Sequence, residues 1–244
     1  MTLFLIAFQF LTILPIKIKS ELKDADFGKS IIYFPLVGLA IGALLASITL
    51  FSNFLPNMVM AAIIILLSVI ITGAIHLDGF IDTCDGLYGF RTKERSLEIM
   101  RDSHVGAMGI IGIVVLMLIK FSILVSYLPL NLWKYLILMT TFARWTQVLS
   151  CFTSDYARKD GKGKNFIKYC GKKEFLIGTV FTFAIFLLLK GIWGIILLSL
   201  STIFILLIIT YIKKKINGMT GDTIGAVSEM AEVVILLIGL ILRK

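Results

Sequence analysis

Residues 57–86 read NMVMAAIIILLSVIITGAIHLDGFIDTCDG, and this stretch decides the kind of fold that the chain can adopt. Residues 57–75 are almost entirely apolar. As a helix, this segment is long enough to cross the hydrocarbon core of a bilayer. Asp78, Asp82 and Asp85 follow at once. Three carboxylates so close together repel one another unless a cation lies between them. The stretch therefore predicts a membrane helix that runs into a polar, cation-binding segment.

The rest of the chain repeats this apolar character. It has 244 residues, of which 58% are hydrophobic, and a mean hydropathy of +0.97, whereas soluble domains are about 45–50% apolar. We predict an all-α, polytopic membrane helical bundle with about seven or eight transmembrane helices, forming a single integral membrane domain over residues 1–244. The predicted spans are 2–16, 31–51, 57–75, 106–128, 132–151, 175–189, 192–212 and 226–242.

The break between the sixth and seventh spans is predicted at Lys190-Gly191. Residues 175–212 as one helix would reach about 57 Å at about 1.5 Å per residue. A hydrocarbon core is only about 30 Å thick. Glycine favours a turn at this point, so the sequence predicts a helical hairpin.

The charged residues indicate how the protein is oriented. Most of the 24 Lys and Arg residues follow the odd-numbered spans, and the positive-inside rule makes these loops cytoplasmic. The 15 Asp and Glu residues follow the same pattern, which gathers the polar chemistry at one surface and favours a membrane enzyme over a carrier. We expect an integral protein of the prokaryotic cytoplasmic membrane with its active site facing the cytoplasm. Anionic lipid accounts for the net charge of +9, so no nucleic-acid partner is predicted.

The acidic motif indicates a divalent metal. Asp78, Asp82 and Asp85 share one face of a helix because their spacing is i, i+4, i+7. Mg²⁺ prefers oxygen ligands and commonly bridges a few carboxylates to substrate phosphates. Gly79 and Gly86 are expected to let a bulky substrate approach the backbone. A solvated polar turn is the alternative.

A second polar patch precedes the fourth span. Arg101 is a candidate partner for phosphate. Asp102 is a candidate metal ligand or base, and His104 is a candidate proton shuttle. His76 is a candidate because it stands next to the acidic motif. A structural role remains open for each histidine.

Other polar residues interrupt or follow the later spans. Arg144 lies inside the fifth span, where an ionisable group is either functional or extends its charge toward the headgroups. Arg158 belongs to a basic, glycine-rich loop that suits either a bound anion or anionic lipid. Glu229 and Glu232 share one face of the last helix and need partners if buried. Pairing with Arg144, a share in the ion site and a purely structural ion pair all remain open.

Four ordered motifs carry a resemblance to a known family. They are His76-x-Asp78-Gly79-x-x-Asp82-x-x-Asp85-Gly86, then Arg101-Asp102-Ser103-x-x-Gly106, then Ala157-Arg158, then Thr220-Gly221-Asp222-x-x-Gly225-Ala226-x-x-Glu229-x-x-Glu232. Nearly end to end and at the expected length, the chain resembles the cobalamin synthase family.

The resemblance implies a Mg²⁺-dependent integral membrane transferase that completes the nucleotide loop of vitamin B12. Adenosylcobinamide-GDP would donate its cobinamide phosphate to α-ribazole or α-ribazole 5′-phosphate, and GMP would leave. Membrane lipid is an expected partner, and homo-oligomerisation stays open. The predicted metal ligands are Asp78, Asp82 and Asp85. The predicted catalytic residues are Asp102, His104 and His76. The predicted substrate-binding residues are Arg101, Arg144, Arg158, Asp222, Glu229 and Glu232.

Two other functions are weighed against this one. A CDP-alcohol phosphotransferase-like lipid enzyme also uses spaced aspartates. Its core motif is Asp-Gly-x-x-Ala-Arg, and neither Asp78-Gly79 nor Asp85-Gly86 is followed by Ala-Arg. An ion or solute carrier would use Asp82, Arg144 and Glu232 as a relay. A nucleotide requirement, and flux into sealed vesicles, distinguish these functions.

Overall fold

The computed structural model describes residues 2–16, 18, 22–127, 132–161 and 163–242, and this part of the chain is helical apart from loops and one isolated bridge. The α-helices are α1 (Thr2–Leu11), α2 (Asp24–Lys29), α3 (Phe34–Ile48), α4 (Asn57–Thr72), α5 (Ile75–Leu87), α6 (Lys93–Ile99), α7 (Ala107–Tyr127), α8 (Leu132–Phe152), α9 (Lys164–Tyr169), α10 (Lys172–Lys190), α11 (Ile192–Ile216) and α12 (Gly221–Ile241). Short 3-10 turns, Ser30–Tyr33 and Thr49–Phe51, flank α3. The predicted all-α membrane fold is confirmed.

The number of membrane-spanning helices is smaller than the sequence predicted. Four helical segments of the described chain are long and apolar enough to cross a membrane, namely Asp24–Phe51, Ala107–Tyr127, Ile192–Ile216 and Gly221–Ile241. The pair α4 and α5 would add a fifth, although the two helices are bent by 94°. The prediction of seven or eight spans is therefore wrong.

The predicted spans 2–16, 132–151 and 175–189 correspond to helices that are short, enclosed by protein or charged at their ends. Helix α1 has only ten residues, and α10 begins with Lys172, Lys173 and Glu174 and ends with Lys190. Helix α8 is buried along almost its whole length and carries Arg144 at its centre. Because α8 faces protein on all sides, it tolerates polar side chains that a lipid-facing helix would not.

Close helix packing places α8 at the centre of the bundle. Helix α3 lies against it, where Gly38 and Gly42 leave no room for side chains: a Cβ at Gly42 would lie 2.6 Å from the Cα of Ile137. The hydroxyl of Thr140 donates to the carbonyl of Gly38 at 2.7 Å. Small residues and hydroxyl hydrogen bonds of this kind join helices where lipid removes the hydrophobic driving force.

The predicted hairpin is present. Helix α10 ends at Lys190, Gly191 adopts a positive φ of 59°, and α11 begins at Ile192. The two helices then pack against each other, and Gly194 approaches the backbone of Phe186 so closely that a side chain would collide with it. The positive φ at Gly191 is the reason that glycine suits this turn.

Candidate functional site

The acidic motif lies on α5, which is sharply bent away from α4. Gly73 and Ala74 both adopt left-handed backbone conformations, with φ of 60° and 56°, and they produce the 94° bend between α4 and α5. Helix α5 then carries Asp78, Asp82 and Asp85. The prediction that these three carboxylates belong to one helix is confirmed.

Glycines let α5 and α12 touch backbone to backbone. A Cβ at Gly79 would lie 2.7 Å from the carbonyl oxygen of Asp222, and one at Gly225 would lie 3.2 Å from the Cα of His76. At Gly86 the neighbour is a side chain as well as backbone: a Cβ there would lie 2.5 Å from the Cγ of Met100 and 3.0 Å from the carbonyl oxygen of Ser96. The expectation that Gly79 and Gly86 leave room for a bulky substrate is therefore wrong, since neighbouring parts of the protein fill that room.

Asp222 enters the site because α12 begins beside α5. Thr220 caps this helix: its hydroxyl accepts the backbone N–H of Thr223 at 3.2 Å, and the hydroxyl of Thr223 accepts the N–H of Thr220 at 2.8 Å. This reciprocal cap fixes the first turn. Asp222 lies in that turn, where the positive end of the helix dipole stabilises a carboxylate.

Asp85 differs from its two neighbours on α5. One of its carboxylate oxygens accepts the backbone N–H of Gly106 and the other that of Gly109, each at 2.8 Å, and the residue is buried. It therefore caps α7 and holds the start of that helix against α5. Its predicted role as a metal ligand stays a prediction.

Asp82 is surrounded mainly by negative charge. It is half-buried, and the carboxylates of Asp222, Asp78 and Asp85 act on it, with Arg158 as the opposing cation. Excess negative charge of this kind favours a bound cation. The structure thus brings together carboxylates of α5 and α12 that are far apart in the sequence.

A backbone bridge holds Arg158 beside these acids. The N–H of Ala157 donates to the carbonyl of Met219, and the N–H of Met219 donates to that of Asp155, each at 2.9 Å. Arg158 then pairs with Asp222, with 2.7 Å between Nη1 and Oδ2. Its Nε and Nη2 are buried and have no hydrogen-bond partner among the described residues, so the N–H groups of these two nitrogens are left without an acceptor.

The carboxylates fit one mode of magnesium binding. Across the described ranges, no group of three or more His, Cys, Asp or Glu side chains is arranged to hold a metal ion by itself. Mg²⁺, however, usually takes one or two protein carboxylates and completes its shell with water and substrate phosphates. Asp78 and Asp82, one helical turn apart on α5, provide that smaller set.

A cavity of about 180 Å³ opens next to the acids. Asp78 and Asp222 line it, together with His76 and Gln147, whose Nε2 atoms are hydrogen-bonded at 3.0 Å. Asp78 is exposed whereas His76 and Gln147 are buried, so the cavity runs inward from the carboxylates. Sequence reasoning passed over Gln147, although it stands three residues after Arg144 in the same helix.

The second predicted patch lies outside this cavity. The imidazole Nδ1 of His104 and the Oδ1 of Asp102 are 2.6 Å apart, and the two side chains are 90% and 57% exposed. Hydrogen bonds from the backbone and side chain of His104 lower the pKa of Asp102. Arg101 instead lines a surface groove of about 480 Å³ together with Arg158.

The remaining predicted residues lie deeper in the bundle. Glu229 and Glu232 each bind the Nζ of Lys120 at 2.8 Å, and Arg144 donates to the hydroxyl of Ser228 at 2.9 Å. All four charged side chains are buried. The structure does not bring Arg144, Glu229 or Glu232 to the cavity lining. Lys120 was missed, although a lysine inside the predicted span 106–128 is itself a signal.

The profile of the family described as cobalamin-5-phosphate synthase matches residues 3–240. Three relatives are all named adenosylcobinamide-GDP ribazoletransferase. That of Geotalea daltonii is 37% identical over 96% of this chain and 95% of its own. The Clostridium acetobutylicum protein is 38% identical over 91% and 89%, and the Desulfitobacterium hafniense protein is 40% identical over 95% and 94%. No solved structure matches.

Proposed function

Because this chain belongs to the cobalamin-5-phosphate synthase family, we propose that it joins adenosylcobinamide-GDP to α-ribazole or α-ribazole 5′-phosphate and releases GMP. A hydroxyl of the acceptor ribose attacks the phosphorus that is linked to cobinamide. The bond from that phosphorus to the GMP part of the diphosphate breaks, and the acceptor hydroxyl loses its proton. The relatives carry this activity in their names.

One observation supports the proposal most strongly: Asp78 and Asp222 line the cavity, Asp222 pairs with Arg158, and the charges of all three act on Asp82. A diphosphate donor requires both cations and positioned N–H groups. Asp78 and Asp82 are the residues that would hold Mg²⁺, which would offset negative charge on the phosphates. The two unpartnered nitrogens of Arg158 would bind phosphate oxygen.

Arg101 is a second candidate for contacts with the donor. It lines a surface groove with the basic residues Arg158 and Lys159, and Glu94, Glu98 and Asp160 line the same groove. A long donor that carries a diphosphate, a nucleoside and a corrinoid needs room beyond the cavity. We assign the groove to the donor side of the reaction.

Of the three predicted catalytic residues, His76 is the candidate for accepting the acceptor's proton; its Nε2 accepts the side-chain N–H of Gln147, so this hydrogen bond must open first. It lines the cavity, whereas Asp102 and His104 are exposed on a loop outside it. A general base must come within hydrogen-bonding reach of the proton that it removes. Asp102 and His104 remain candidates for contacts with the donor.

The site is proposed to face the cytoplasm of a prokaryotic cell, with the protein integral to the cytoplasmic membrane. The basic loops that contain Arg101 and Arg158 support this orientation through the positive-inside rule. The same loops would contact anionic lipid.

A turnover assay on purified protein in lipid tests the proposal. Adenosylcobinamide-GDP and α-ribazole are supplied with Mg²⁺ or with EDTA, and both GMP and the corrinoid product are quantified. We expect equal amounts of the two products, dependent on Mg²⁺. Absence of both products with either form of the acceptor, in a folded preparation, would overturn the proposed reaction; a CDP-linked lipid donor would be tried next.

A further inference from the structure

We propose that the cavity binds the flat, apolar base of the acceptor nucleoside, with the acceptor's ribose at the carboxylate end. This inference rests on the proposed function, because it assigns one half of the same site to one of the two substrates. It concerns the inner part of the cavity, beyond Asp78 and Asp222.

Three aromatic rings form the apolar wall. Phe10 of α1 and Phe166 of α9 have ring centroids 4.7 Å apart, and Phe34 of α3 lies 5.3 Å from Phe166. All three rings line the cavity. Aromatic side chains stack on flat heterocycles and stabilise them independently of their exact hydrogen-bonding pattern. The wall therefore suits a planar base.

The volume of the cavity determines which part of the two substrates can enter it, a small base or the corrinoid. Its volume is about 180 Å³, and an engineered protein cavity of about 150 Å³ is known to hold benzene. A small aromatic base is of this scale, whereas a corrinoid macrocycle with its side chains is several times larger. The corrinoid must stay outside.

Polarity separates the acceptor's base from the guanine of the donor. The buried polar side chains in the cavity, His76 and Gln147, are hydrogen-bonded to each other. Guanine has donors and acceptors around its edge, and burying them unpaired is costly. The benzimidazole base of α-ribazole has an edge of apolar methyl groups and needs few partners. The cavity interior therefore fits the acceptor's base better than guanine.

The orientation that follows suits the reaction. With the base against Phe10 and Phe166, the attached ribose points toward the open end, where Asp78 and Asp222 lie. This places the attacking hydroxyl next to the carboxylates that are proposed to hold the metal and the donor's phosphates. One cavity would then bind the acceptor and direct its hydroxyl.

The test measures equilibrium binding of α-ribazole to purified protein in lipid, without donor. Phe10→Leu removes one ring of the wall, and Cys151→Leu adds bulk to the lining. We expect each to weaken α-ribazole binding on the order of tenfold, while binding of GMP stays unchanged. Phe4→Leu is the matched control, since Phe4 lies on the same helix but pairs with Phe8 and Tyr33 and does not line the cavity.

The outcomes separate this inference from the proposed function. Weaker α-ribazole binding in both cavity variants supports the inference even if the protein fails to turn over. Normal turnover by the wild type with unchanged α-ribazole binding in both variants would leave the function standing and overturn the inference. Selective loss of GMP binding would assign the cavity to guanine and would also overturn it, as would an absence of α-ribazole binding by the wild type.

Discussion

At the scale of single residues, the three aspartates of α5 have different surroundings despite their identical chemistry. Both carboxylate oxygens of Asp85 are occupied by N–H groups at the start of α7. Asp82 faces other carboxylates and Arg158, and Asp78 is exposed at the cavity. Their spacing shows that they share a helix face. The spacing contains no information on the groups that each aspartate contacts, because those groups belong to distant parts of the chain.

Asp85→Ala is expected to lower the stability of the protein. The substitution leaves the N–H groups of Gly106 and Gly109, at the start of α7, without an acceptor, and losing a helix cap costs about 0.5–2 kcal/mol. Thermal unfolding in a mild detergent measures the effect, with Asp24→Ala as the control because Asp24 is exposed on α2. An unfolding midpoint equal to that of the wild type would contradict the capping role.

At the scale of the helices, a buried ion network connects α7, α8 and α12. Lys120 binds Glu229 and Glu232, and the charge of Arg144 acts on the same two carboxylates. Two cations and two carboxylates are thus buried together. Because the two positive and two negative charges cancel, the helices can carry these charged side chains far from either helix end. It also supports a structural role for Glu229 and Glu232, one of the alternatives that the sequence left open.

Lys120→Met is expected to destabilise the bundle strongly. Removing one partner from a buried ion pair typically costs about 3–5 kcal/mol, because the remaining charge stays buried and unpaired. The double variant Lys120→Met with Glu229→Gln restores the charge balance and should recover part of the loss. Unfolding of both variants under the same detergent conditions measures this, and equal stability of the two would contradict the network's role.

The helices also show which predictions the sequence supports. The hairpin at Gly191 was predictable, because the length of one continuous helix is incompatible with a bilayer. The number of spans was not, since the hydropathy of 132–151 does not reveal that α8 is enclosed by protein. Likewise, Gly79 is a permissive residue in any sequence, and only the position of α12 shows that protein occupies the space beside it.

At the scale of the whole molecule, the polar groups of the proposed site come from segments distant in the chain but gather in one region. Asp78, Arg158 and Asp222 lie in different segments, and helix packing together with the bridge between Tyr156 and Met219 brings them together. The sequence predicted that the polar groups gather at one surface, although it did so from the parity of eight spans, more than the described chain has. Asp102 and His104 lie on an exposed loop outside the cavity, and their predicted contribution to the same site stays a prediction.

Cysteine labelling tests the orientation in the membrane. In a variant without Cys84, Cys151 and Cys170, a cysteine replaces either Lys159 or Asn53, which are both exposed in loops. A membrane-impermeant maleimide should label the Lys159→Cys variant in inside-out vesicles and the Asn53→Cys variant in right-side-out vesicles. The opposite pattern would place the proposed site outside the cell and contradict the cytoplasmic orientation.

The central claim is that the carboxylates of α5 and α12, together with Arg158, form the reaction site. The most direct measurement is the initial rate of GMP release by Asp82→Asn in lipid, compared with Asp24→Asn, the same substitution at an exposed carboxylate outside the cavity. We predict that Asp82→Asn lowers the rate by at least about a hundredfold with an unchanged unfolding midpoint, while Asp24→Asn keeps the wild-type rate. A rate for Asp82→Asn close to that of the wild type would contradict the claim.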